Sequence, residues 1–257
     1  MTEPVIGKLA AALKGEGVFS GWVGMNEPQV AEALAREAFD TVVLDMQHGA
    51  VDIVGAARCI LSVALAGKPS VVRIPVGDFA SASRAADAGA AGVIAPMINS
   101  VADAEAFASF VKFPPLGARS WGPRACGPLS GHFGPTYLHA ANAITLTIAM
   151  IETREALDAV DAILAVAGID GVFVGPADLS IALSRGGLWD PRGAAVDAAL
   201  DAVAAAAQRA GKFAGLFCFD GAQAKAMRAR GFKFTSISAD ILMLRAMGKA
   251  EMEKARG

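Results

Sequence analysis

Along this chain, a short apolar run and a segment of helical spacing alternate eight times. Runs such as Thr41-Val42-Val43-Leu44 and Gly171-Val172-Phe173-Val174 have no polar face. That is the pattern of a parallel strand buried on both sides. The runs begin near Val18, Thr41, Ser70, Gly92, Ile144, Gly171, Phe213 and Phe234. Helical spacing fills 28–38, 52–67, 79–89, 100–112, 154–166, 178–183 with 193–210, and 222–230, and a last helix begins near Asp240. Eight such units in 257 residues predict an α/β fold, a (β/α)8 TIM barrel occupying 1–257 as a single domain. A doubly wound open sheet would carry GxGxxG after its first strand, and none is present.

Local signals mark the edges of these units. Asn26 is placed to cap the helix at 28–38, and Ser100 the helix at 100–112. The apolar stretch 5–13, broken by Lys8 and followed by Lys14 and Glu16, reads as a short surface helix and not a signal peptide. The segment 113–143 is long and rich in Gly and Pro, with a helical piece at 137–142. It is either a functional loop or an excursion packed on the barrel's outside or on a neighbouring subunit. The last helix opens with Ile241, Leu242, Leu244 and Met247, which pack on this barrel or on another subunit.

Charge and cysteine content exclude several classes. With 23 basic and 25 acidic residues mixed along the chain, net charge is -2, and nothing favours a nucleic-acid or membrane partner. Three cysteines without CxxC spacing give neither a disulfide framework nor a thiolate zinc site, which suits the cytoplasm.

In a barrel the chemistry sits at the C-terminal ends of the strands, so polar residues that interrupt or end an apolar run are the candidates. They are Asp45, Gln47 and His48 after the second run, Arg73 in the third, Glu152 after the fifth and Asp178 after the sixth. Glu152 and Asp178 offer hard oxygen ligands suited to Mg²⁺ or Mn²⁺, with Co²⁺ also accommodated. The competing reading makes each the cap of the helix that follows it. Gly49 lets the chain turn after Met46, so that Asp45 could hold one ring nitrogen of His48 and leave the other as a base. Arg73, in an otherwise buried run, needs an anion: Asp45, or an enolate or carboxylate of a substrate. Gly175-Pro176-Ala177-Asp178 opens a helical turn whose Ala177 and Asp178 amides form a small carboxylate nest. His132 and His139 have no ligand spacing, and no lysine belongs to this polar set, which argues against Schiff-base chemistry.

Taken together, Leu44-Asp45-Met46-Gln47-His48-Gly49, Val72-Arg73-Ile74-Pro75, Pro114-Pro115-Leu116-Gly117-Ala118-Arg119, Ile151-Glu152-Thr153 and Gly171 through Ser180 resemble the HpcH/HpaI aldolase family in order and spacing. The resemblance covers roughly 21–239. It implies a metal-dependent (class II) pyruvate aldolase acting on 4-hydroxy-2-oxo acids, with a divalent metal on Glu152 and Asp178. It further implies His48 as base beside Asp45, Arg73 on the keto oxygen, and the turn at Gly175, Pro176, Ala177 and Asp178 around the donor's carboxylate. Trp22 matches a pocket-lining tryptophan. Phe217 stands where relatives often carry an aliphatic residue, Gln47 where a glutamate is usual, and Met150 where some carry glutamine; these departures bear on the aldehyde and on the donor's substituent. The resemblance also implies a homo-oligomer, a hexamer built as a trimer of dimers with the last helix exchanged between subunits.

The reading that follows is an aldolase joining the enolate of pyruvate or hydroxypyruvate to an aldehyde, or cleaving the product. The alternatives are an acyl-CoA lyase of the citrate-lyase β type and a non-catalytic 2-oxo-acid-binding barrel.

Overall fold

The computed structural model describes residues 4–257. Its first half runs α1 (Ile6–Lys14), β1 (Val18–Val23), α2 (Pro28–Arg36), β2 (Thr41–Asp45), α3 (Ile53–Leu65), β3 (Ser70–Arg73), α4 (Phe79–Asp87), β4 (Gly92–Ala95) and α5 (Val101–Val111). Then come α6 (Cys126–Ser130), α7 (Pro135–Ile144), β5 (Leu146–Ile151), α8 (Arg154–Asp158), α9 (Val160–Ala165), β6 (Gly171–Val174) and α10 (Pro176–Leu183). The chain ends with α11 (Ala194–Arg209), β7 (Phe213–Cys218), α12 (Gly221–Ala229), β8 (Phe234–Ile237) and α13 (Asp240–Arg256). The eight strands are all parallel and close in sequence order, β8 pairing with β1. The (β/α)8 barrel expected from the alternating runs is the fold observed.

Strand register does the first work for the site. Asp45 and Arg73 are Cα partners at the ends of β2 and β3. Ile151 is the partner of Val174, so Glu152 and Gly175 emerge side by side from β5 and β6. Inside the barrel, Trp22, Phe173 and Phe234 stack in succession, with centroids 5.8 and 5.5 Å apart. The Ser20 and Ser236 hydroxyls pair at 2.6 Å, so these buried polar groups are satisfied.

Several local expectations are corrected. The stretch 5–13 forms the short helix expected, but one face of it is core: Ile6, Leu9, Ala10 and Leu13 of α1 are buried, and Leu9 lies against Gly92 and Leu146 at the starts of β4 and β5. It covers the apolar floor that an open barrel would leave wet. Asn26 does not cap α2; the Glu27 carboxylate accepts from the Gln29 amide instead, and the Asn26 side chain lies over Gly55, where no Cβ would fit. The helix expected over 154–166 breaks at Ala159, with neither glycine nor proline to announce it.

The segment 113–143 packs on this chain's own barrel and sends no residue to the cavity at the C-terminal ends of the strands. Its α6 and α7 lie against α1. Arg119 pairs with Asp87 at 2.5 Å and stacks over Phe113. Lys112 is fully buried and spends its three donors on the Asn142 and Thr145 carbonyls and the Asp170 carboxylate, at 2.8, 2.7 and 2.6 Å. The terminal helix behaves differently. In α13 only Asp240 is buried, while Ile241, Leu242, Leu244, Met247 and Met252 are exposed. Its apolar residues are not covered by its own barrel.

Candidate active site

A cavity of about 320 Å³ opens at the C-terminal ends of the strands, within the range usual for small-molecule sites. Eleven candidate residues line it: Trp22, Asp45, His48, Arg73, Met150, Glu152, Gly175, Pro176, Ala177, Asp178 and Phe217; Gln47, also a candidate, does not.

Asp45 and Arg73 form its fixed centre. Arg73 donates from Nε to Asp45 Oδ1 at 2.8 Å and from Nη2 to Oδ2 at 2.5 Å. Both side chains are more than nine-tenths buried. The Trp22 indole N–H donates to Oδ2 at 3.0 Å, and its ring lies 4.9 Å under the guanidinium. Backbone N–H groups of Gln47 and His48 donate to Oδ1 at 3.0 and 3.3 Å. Burial alone would raise the Asp45 pKa, but Arg73 and the other donors outweigh it and hold the carboxyl below its ordinary range.

This corrects one expectation. Asp45 does not hold the His48 ring; its two oxygens are already taken by five donors, and it orients His48 through the backbone amide. The His48 ring stands exposed at the cavity with no hydrogen-bond partner among the described residues, so both of its nitrogens are accessible to a bound molecule.

Glu152 faces this pair. It is buried, and its only recorded hydrogen bond is accepted at Oε2 from the Met97 amide at 3.1 Å. The helix-cap reading does not hold for it: Thr153 caps α8 by accepting from Ala156. Asp178 lies in the first turn of α10 with its side chain uncommitted, and the cap position belongs to Gly175. No side chain caps α10, so the Ala177 and Asp178 amides face the cavity without a protein acceptor. A Cβ on Gly175 would sit 2.4 Å from Glu152 Oε1, so glycine there leaves room for that oxygen.

These residues fit a divalent cation. Glu152 is a buried carboxylate with one unengaged oxygen, and a second carboxylate lies within electrostatic reach. No cluster of three His, Cys, Asp or Glu side chains suited to a metal exists among the described residues. A cation here would therefore take two protein carboxylates and complete its shell with water or substrate oxygens, as Mg²⁺ and Mn²⁺ commonly do.

Burial, with Asp178 adding to it, pushes Glu152 from the ordinary 4.5 up to about 7, against the Met97 amide and Arg73. A raised carboxyl pKa favours the protonated folded state. Without metal, its contribution to stability is whole below pH 4.5 and is lost as pH rises through about 7. The loss amounts to about 3 kcal/mol by pH 8. Glu152→Gln, which keeps an acceptor and removes the charge, is expected to melt about 6 °C or more above wild type at pH 8 in EDTA. At pH 5 the gap should nearly close. Thermal melts at the two pH values check this, and an equal gap at both would show that Glu152 ionisation is not the cause.

Phe173, Phe219 and Asp240 are among the further lining residues that the sequence pattern did not single out as site residues. Phe173 read simply as core. Phe219 continues the alternation of Phe217 past the end of β7, which was a usable signal. Asp240 is a carboxylate just beyond β8, in the position that flagged Glu152 after β5. It is buried and accepts from the Gly24, Met25 and Ile241 amides, tying the start of α13 to the end of β1.

Comparison with known proteins agrees with this geometry. The model of the HpcH/HpaI aldolase/citrate lyase family matches residues 19–246. A hydroxypyruvate/pyruvate aldolase of Rhizorhabdus wittichii is 41% identical over 243 residues, covering 95% of this chain and 96% of its own. A 4-hydroxy-2-oxo-heptane-1,7-dioate aldolase of Klebsiella pneumoniae is 30% identical over 223 residues, covering 87% of this chain and 83% of its own. The crystal structure of a family protein from Burkholderia cenocepacia superposes with a TM-score of 0.88 at 32% identity, over 98% of this chain and all of the other. The chain belongs to the HpcH/HpaI aldolase/citrate lyase family.

Proposed function

We propose that this barrel is a divalent-metal-dependent aldolase that makes or cleaves 4-hydroxy-2-oxo acids through the enolate of pyruvate or hydroxypyruvate. The observation that carries the reading is the facing of a fixed cation, Arg73, and two carboxylates, Glu152 and Asp178, across one cavity with an uncommitted histidine at its edge. Glu152 and Asp178 would hold the cation, which when bound supplies Lewis acidity to the donor's carbonyl and so acidifies C3. The Ala177 and Asp178 amides receive the donor's carboxylate. His48 takes a proton from C3, directly or through a water. The guanidinium of Arg73 is held rigid by Asp45 and keeps Nη1 for the enolate oxygen. It stabilises charge as it develops and does not have to reorganise. Trp22, Met150, Phe173 and Phe217 wall the reacting centre with apolar surface.

The acyl-CoA alternative finds no support in the cavity. A CoA ester's phosphates call for cations, and among the described residues Arg73 is the only lysine or arginine lining it. A mere binder has no use for an exposed base beside the carboxylates. The exposed apolar residues of α13 support the exchange of that helix between subunits, in the dimers of a hexamer. Three buried free thiols suit a reducing compartment, and we place the enzyme in the cytoplasm.

The test is cleavage. A 4-hydroxy-2-oxo acid, incubated with the protein and Mg²⁺ or Mn²⁺, should yield one pyruvate per aldehyde, and EDTA should stop it. Absence of both cleavage and synthesis with every divalent metal tried would remove the proposal.

A further inference from the structure

An aromatic wall leaves the catalytic cavity along the end of β7. Trp22 meets Phe217 edge to face at 5.4 Å, Phe217 meets Phe219 at 5.5 Å, and Phe219 meets Trp189 at 6.4 Å. Phe217 and Phe219 line the cavity. Phe219 also lines a second hollow, of about 350 Å³, with Trp189, Asp190, Pro191 and Arg192. The two spaces therefore share a wall, and a molecule at the reacting centre can extend along it to the outside.

Two features of this wall are not explained by the donor half of the reaction. Trp189 is 63% exposed and Leu188 58%, which puts large apolar surface beside the mouth of a polar pocket. The positive charge there is also already matched. Arg192 is the only lysine or arginine lining the hollow, and its Nη2 donates to Asp220 at 2.6 Å while its guanidinium lies 5.4 Å over the Phe219 ring. In the deeper cavity the only lysine or arginine among the described residues is Arg73, held by Asp45, beside the acids Glu152, Asp178 and Asp240. An acceptor with a carboxylate at its far end finds no free cation on this path. An uncharged ring finds edge and face contacts with Phe219 and Trp189.

We infer that the acceptor aldehyde of this barrel is uncharged and aromatic, seated on Phe219 and Trp189. The inference rests on the aldolase reading above. In the bond-forming step the enolate's C3 bonds to the aldehyde carbon. The carbonyl π pair moves to the aldehyde oxygen, which takes up a proton equivalent to the one lost from C3. The product is a 4-aryl-4-hydroxy-2-oxo acid, with no oxidant or reductant needed.

The experiment uses the full-length protein with Mn²⁺ and pyruvate, and compares benzaldehyde, butanal and 4-oxobutanoate as acceptors. Exchange of the pyruvate C3 protons without aldehyde is measured in parallel, as a separate readout of the donor half. Wild type should favour benzaldehyde over 4-oxobutanoate by about tenfold or more in kcat/KM. Trp189→Ala should lower kcat/KM for benzaldehyde about tenfold, chiefly through KM, and change butanal by less than about threefold. Phe219→Leu should act in the same direction. An equal or better rate with 4-oxobutanoate would overturn the inference, as would a uniform fall for all three aldehydes. A change in assembly mass with Trp189→Ala would assign that residue to a subunit contact and overturn it too. Absence of C3 exchange in wild type would strike the aldolase reading itself, which separates the two failures.

Discussion

Arg73→Met is expected to lower stability by about 3–5 kcal/mol and kcat by about 10² or more, because one guanidinium serves both ends. It is the counter-ion of Asp45, whose carboxylate is more than nine-tenths buried. With Arg73 removed, the Trp22 indole and two backbone amides remain, but no cation does. The Asp45 pKa then rises from its depressed position, because burial, the largest influence on it, is no longer outweighed. The double variant Asp45→Asn with Arg73→Met separates the roles. Removing both charges together should recover most of the lost stability, since a buried pair is often worth little net. It should recover none of the activity, because the fixed cation facing the reacting carbonyl is still missing. Denaturant melts and kcat/KM on the three variants measure this. Recovery of activity along with stability would mean that Arg73 only holds Asp45.

His48→Ala is expected to cost about 10²- to 10⁴-fold in both proton exchange and carbon–carbon bond formation, with stability nearly unchanged. The two effects separate because of where the residue lies. Its ring is exposed and makes no hydrogen bond among the described residues, so its loss leaves no buried group unpaired. Its backbone N–H donates to Asp45, and alanine keeps that bond. Added imidazole should restore part of the rate, since the vacated space opens to solvent. An exchange rate within a fewfold of wild type would move the base to another group in the cavity.

The barrel was legible because its physics repeats: each parallel strand must be apolar on both faces, and each helix must bring the chain back. Apolar runs outlast the strands, as at Ile74 and Pro75 beyond β3: Ile74 still donates to the Ile94 carbonyl, and Pro75 has no N–H to donate. The site was legible for the opposite reason, since a carboxylate or guanidinium in an apolar run has few structural excuses. The partner of Asp45 was legible only as an alternative: spacing offered His48, three residues away, while the buried Arg73 offered Asp45 as its anion, and strand register sets Arg73 beside Asp45 from 28 positions along the chain. Asp240 was missed because a carboxylate at a helix start looks ordinary, and only the fold shows the Gly24 and Met25 amides converging on it. The role of α1 was hidden for the same kind of reason. Nothing local says that an N-terminal helix covers the barrel floor.

The most direct test of the account is hydrogen–deuterium exchange at C3 of pyruvate, followed by NMR in D₂O with no aldehyde present. The account predicts exchange that requires Mg²⁺ or Mn²⁺, stops with EDTA and returns when metal is added back. Exchange indifferent to EDTA, or none with pyruvate or hydroxypyruvate under any divalent metal, would contradict it.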